Sequence, residues 1–264
     1  MIMLIISNKT FAVLLKKGWQ LDIGSFIYGV VVSLVATFIA FLVKKIIENR
    51  RRLALLCSAG VHRNEEVRVS AAYLFRIVVD GKYLLIRGSR IRSQYQPVGG
   101  VYKYFPSSKA KLDSLGARAD CALNTHLTDS DDLRLHLPGK NLLKFLDWFD
   151  GRTGREVETM REFREELVEP GYLADKAVKC FNPEFIRMCD RKMSYSKELE
   201  IYELLIHDVY EVALPMEEAA RIREAIGSGS DCELILVDAR DIEKGTVEIS
   251  GVFYGIAPTA RKVL

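Results

Sequence analysis

The segment REFREEL, residues 161–167, sets Glu162, Glu165 and Glu166 at positions i, i+3 and i+4. On a helix, carboxylates at that spacing share one side and repel by ~0.2–0.5 kcal/mol per pair. They are therefore either solvated beside Arg161 and Arg164 or gathered around a counter-charge. A divalent cation is the sharper reading, because magnesium takes hard oxygen ligands: a few carboxylates, water and phosphate oxygens. Such a cation would neutralise a diphosphate or orient a water against phosphorus. Glu158, four residues before Glu162, adds a carboxylate suited to a general base.

These groups need a rigid support. REVETMREFREELV (155–168) predicts a helix whose Val157, Met160, Phe163 and Leu167 form a core-facing stripe, stopped by Pro170-Gly171. Ahead of it, two β-rich runs, 67–79 and 82–87, flank Asp80-Gly81, a pair suited to the positive φ angles of a tight hairpin. A further strand, 92–105, is interrupted by Pro97 and by Gly99-Gly100, and paired glycines there imply a bulge or a close backbone approach. Residues 106–132 are polar and turn-rich, an insertion loop. LRLHL (133–137) alternates as a strand, and NLLKFLDWF (141–149) reads as a short helix or an irregular apolar segment. Strands, or a helix over part of the stretch, follow within 191–214, then a helix of strong formers at 216–226, a buried strand at 232–239 and a closing β segment at 247–257. Helices interleaved with strands in this order predict a mixed α/β domain with helices packed on sheets.

The front of the chain is of another kind. After a short tail, residues 1–22, IGSFIYGVVVSLVATFIAFLV (23–43) carries no charge and is long enough as a helix to cross roughly 30 Å of hydrocarbon. Gly29, Ser33 and Thr37 recur at every fourth position, a face on which another helix could pack. KKIIENRRR opens a basic linker over 44–66. Its five cations, against Lys9, Lys16 and Lys17 on the other side, place the C-terminal side in the cytoplasm by the positive-inside rule.

The net charge of +3 is too small to attract DNA through its field. Five cysteines, at 57, 121, 180, 189 and 232, include no C-x-x-C, and the histidines fall at no metal-ligand spacing. This composition suits a reducing compartment with buried free thiols.

REFREEL resembles the R-E-U-x-E-E core of the Nudix box, with Phe163 as the bulky apolar residue, and Gly99-Gly100 is similar to the glycine pair that precedes that box. The resemblance covers about 67–264. It implies an α/β/α sandwich, with an insertion at about 106–132, and magnesium held by Glu162, Glu165 and Glu166. The chain departs from the box at Thr153, where the family has a glutamate, and at Val168, where it has a glycine. One membrane helix, a basic juxtamembrane run and a divergent Nudix domain together resemble the SMODS-associated Nudix effectors, the CD-NTase-associated protein 16 family of bacterial CBASS anti-phage systems. That resemblance implies a single-pass protein of the inner membrane with its C-terminal domain cytoplasmic. Its partners would be a cyclic oligonucleotide made by a cognate CD-NTase, the lipid bilayer and, on activation, further copies of itself.

Three functions follow as expectations. A receptor-effector would hold the cyclic nucleotide with its phosphates near the metal helix or near Arg87, Arg90 and Arg92, Gly99 and Gly100 among the binding residues and Tyr95 or Tyr102 stacked on a base. Its membrane helix would then disrupt the bilayer and abort infection. A magnesium-dependent hydrolase of nucleoside diphosphate derivatives or dinucleotides would use Glu158 as base. A membrane-anchored scaffold would bind no nucleotide.

Overall fold

The structure, a computed structural model, describes residues 23–89, 91–120, 131–175, 181–226 and 232–264. The chain divides into two compact units, Met1–Leu53 and Ala54–Leu264. In the first, helix α1 (Ile23–Glu48) contains the apolar window Phe26–Ile47, with mean hydropathy 2.6 and none of it buried. The helix is longer than the stretch read from sequence. It runs through Lys44-Lys45, since a lysine side chain can extend its charge away from an apolar segment while its backbone stays helical.

Helix α2 (Arg50–Val61) follows. In the second unit its Leu55 and Ala59 are buried in the main core. The expected linker over 44–66 is thus largely helical, and its latter half is part of the folded domain.

That domain is a mixed α/β structure in which the described residues form an eleven-stranded sheet. Its strands are β1 (Glu66–Val79), β2 (Lys82–Arg87), β3 (Gln94–Pro97), β4 (Gly99–Val101), β5 (Arg118–Ala119), β6 (Arg134–Pro138), β7 (Glu184–Ser196), β8 (Ile201–Val212), β9 (Leu234–Val237), β10 (Thr246–Ile249) and β11 (Val252–Ile256). The helices after α2 are α3 (Lys109–Ser114), α4 (Leu142–Asp150), α5 (Met160–Phe163), α6 (Met216–Ile226) and α7 (Ala239–Lys244).

β1 is the organising strand. It lies parallel to β8 from Val67↔Tyr202 to Ile77↔Val212 and antiparallel to β6 and β4 on its other side. Val67 through Phe75 are buried without a break, the pattern of a strand covered on both faces. Asp80 and Gly81, at φ 51° and 77°, turn it into β2, which carries β9 and β3 beside it.

Several expectations change here. The insertion is partly regular, containing α3 and β5, while residues 121–130 lie outside the described residues. The described thiols are not buried, Cys57 being exposed and Cys189 and Cys232 half-buried; Cys121 and Cys180 lie outside the described residues. Neighbouring segments already fill the core, with Leu133, Phe145, Phe149 and Phe163 among its fully buried side chains.

Candidate functional site

The glycine pair and the glutamate helix meet. Gly99 and Gly100 stand opposite Leu74 and Tyr73 in the β1–β4 ladder. Gly99 has φ +149°, and a Cβ there would lie 2.2 Å from the Tyr73 carbonyl oxygen, so the position accepts glycine alone. A Cβ on Gly100 would lie 2.1 Å from Cγ of Glu162. The glycines therefore let the carboxylate helix press directly against the strand, and the N–H of Gly99 donates to Glu166 Oε2 at 3.0 Å.

The helix itself departs from expectation. α5 begins at Met160 rather than at residue 155. Upstream, Arg155 bridges to Tyr104, and the N–H of Glu156 donates to the carbonyl of Lys103 at 2.7 Å. Those bonds hold the backbone extended, so Val157 is exposed instead of core, and Glu158 is an exposed residue of an irregular segment. After Phe163 the helix widens into a π turn, Arg164–Val168, closed by the N–H of Glu169 to Arg164 O at 2.9 Å. A turn closed over five residues no longer stacks side chains at the i, i+4 spacing of an α-helix. Phe163 and Leu167 still anchor the segment in the core, with Phe163 edge-on to Phe75.

Arg161 sits among the carboxylates. Its Nη1 donates to Glu162 Oε1 at 2.6 Å and lies 3.4 Å from Glu165 Oε2. Nε donates to Glu156 Oε1 at 3.1 Å, while Nη2 donates to the Val101 carbonyl at 3.0 Å and reaches Glu156 Oε2 at 3.4 Å. Glu166 takes no part in this cluster. Burial pushes its carboxyl up to about 8, although the Gly99 N–H favours the charged form, so at neutral pH it is mostly protonated. Burial also raises Glu162, against the pull of Arg161.

Magnesium was expected on Glu162, Glu165 and Glu166. Among the described residues no three acidic, histidine or cysteine side chains are arranged to hold a metal ion. The residues do not fit the cation as a three-carboxylate set: Arg161 bridges two of the acids, and the third is turned onto Gly99.

The other expected residues fall in separate places. Tyr95 is fully buried, with its hydroxyl donating to Cys232 O at 2.6 Å, and Arg87 is buried against the rings of Tyr95 and Tyr254, which pack edge to face. Tyr102 is 1% exposed and donates to Asp208 Oδ2 at 2.8 Å. Neither tyrosine presents a ring face on which a base could stack. Both are core residues whose hydroxyls have found acceptors, as buried tyrosines need. Arg92 is exposed and paired with Glu233. Arg90 lies outside the described residues.

Two further groups were missed. Glu156 binds Arg161 across five residues, a spacing that signals nothing on a regular element. Asp208, in β8, is buried beside Tyr102, and its Oδ1 has no hydrogen-bond partner among the described residues. Near it the buried Arg155 guanidinium lies 3.8 Å from the Phe149 ring centroid and 4.9 Å from that of Tyr102. An aspartate inside an apolar run carries no recognisable pattern; only its β-strand setting could have drawn notice.

The family model of the SMODS-associated NUDIX domain matches residues 66–264. No match was found among curated proteins or among solved structures.

Proposed function

The chain belongs to the SMODS-associated NUDIX domain family, and from that premise we propose that it is a membrane-anchored effector of a bacterial CBASS anti-phage system. In this reading the Nudix domain binds a cyclic oligonucleotide made by a cognate CD-NTase, and α1 damages the inner membrane from which the domain projects into the cytoplasm. Copies associate on activation. The observation that carries the reading is the joining, in one chain, of that domain to a helix that is long, apolar and unburied over Phe26–Ile47. A sensor needs recognition without turnover. The carboxylates engaged by Arg161, together with Thr153 in place of a glutamate, suit binding better than hydrolysis.

Signalling requires that the ligand favour the membrane-active state. To move that equilibrium from about 1:99 to 99:1, it must bind that state ~10⁴-fold more tightly. Calorimetric titration of the detergent-solubilised full chain with cyclic di- and trinucleotides tests the reading. Saturable binding of one of them is expected. No binding across the panel, or release of hydrolysis products in its place, overturns it.

A further inference from the structure

We infer that the Arg161 guanidinium takes the place of a divalent cation among the carboxylates, closing the junction of β4 with α5 without metal. The ligands it gathers are those a hard cation would choose: carboxylate oxygens of Glu156, Glu162 and Glu165 and the carbonyl of Val101. They come from three segments: β4, the extended residues before α5, and α5 with its π turn. One planar group ties them together through all three of its nitrogens. A guanidinium suits this task because its five donors form a fixed fork that a point charge cannot imitate.

This is not a solvated surface pair. The side chains of Arg161, Glu162 and Glu156 are 24%, 20% and 12% exposed, so their attraction is only partly screened. Glu162 is confined as well, since its Cγ fills the space that a Cβ on Gly100 would need. A cation taking the carboxylate oxygens that Arg161 holds would have to displace the guanidinium, stripping the Val101 carbonyl of its donor and leaving a half-buried positive charge beside the metal, a costly exchange. The inference concerns the closure of the junction alone and stands whichever small molecule the domain binds.

The test uses the full chain in detergent, with Mn²⁺ as probe. Binding is followed by loss of the free-ion paramagnetic signal, and melting is compared in EDTA and in excess Mg²⁺. Wild type should leave the Mn²⁺ signal intact and melt at the same temperature in both solutions. Arg161→Gln should melt lower in EDTA, recover part of the loss in Mg²⁺ and bind Mn²⁺ about tenfold or more tightly than wild type, because the freed carboxylates then lack a counter-charge. Arg161→Lys, which keeps the charge and loses the fork, should melt lower yet still exclude Mn²⁺. Stoichiometric Mn²⁺ binding by wild type that disappears in Glu162→Gln overturns the inference, and so does an Arg161→Gln protein that folds yet gains no affinity. If Arg161→Gln fails to fold, the wild-type titration and Arg161→Lys decide.

Discussion

Gly100 and Glu162 compete for one volume: a Cβ on the glycine would stand 2.1 Å from Cγ of the glutamate. Gly100→Ala must push Glu162 off the strand and disturb its bond to Arg161. Overpacking of this kind costs about 1–3 kcal/mol. Gly99→Ala should cost more, because the obstruction is the Tyr73 carbonyl oxygen and the backbone sits at φ +149°. Thermal melting should rank the proteins wild type, Gly100→Ala, Gly99→Ala, in falling order.

Glu166 makes stability depend on pH in a definite direction. Its carboxyl, held at about 8 in the fold, lies above its ordinary value of 4.5. The folded chain therefore keeps a proton that the unfolded chain releases, and stability falls as pH rises from about 4.5 to 8. Glu166→Gln removes that titration while retaining an oxygen for the Gly99 N–H. The variant's melting temperature relative to wild type should climb between pH 5 and 8 and level off above. A constant difference across that range would contradict the burial of this group.

Phe163 fixes the helix to the sheet. It is fully buried, edge-on to Phe75 at 5.3 Å and to Phe181 at 5.5 Å between ring centroids. Phe163→Ala should destabilise the domain by about 3–5 kcal/mol. Chemical denaturation would read this as a lower midpoint with an unchanged slope.

Membrane topology can be read at Cys57, which is exposed on α2. In a variant keeping only that cysteine, an impermeant maleimide should label lysed spheroplasts and spare intact ones. Labelling of intact cells would place the domain outside and remove it from any cytoplasmic messenger.

The parts legible in the sequence are those set by local chemistry. Asp80-Gly81 announced its turn, and the strong formers of 216–226 define α6 at those same bounds. The apolar front segment is a helix, though a longer one. What escaped was set by contacts distant in sequence. The extended backbone at 155–156 is imposed by Tyr104 and Lys103, distant in sequence, against a good helical stripe. β7 begins earlier than expected, because positive φ at Asp190 and Arg191 breaks its alternation. Sequence singled out the glycine pair and the glutamates separately; that Gly99 and Gly100 meet Glu166 and Glu162 needed the fold. Which partner each carboxylate takes was not legible, since residue type alone does not tell a carboxylate free for a cation from one bound by arginine. Tyr95 and Tyr102 misled for a similar cause: tyrosine serves equally as a binding platform and as a core residue with one polar end.

Coupling between ligand and membrane is the central claim, and dye release from liposomes carrying the full chain measures it most directly. Adding the cyclic oligonucleotide that binds the domain should start release from loaded vesicles. A protein lacking α1 should bind the same ligand and release nothing. Ligand binding by the full chain without any release, or release that proceeds equally without ligand, would contradict the account.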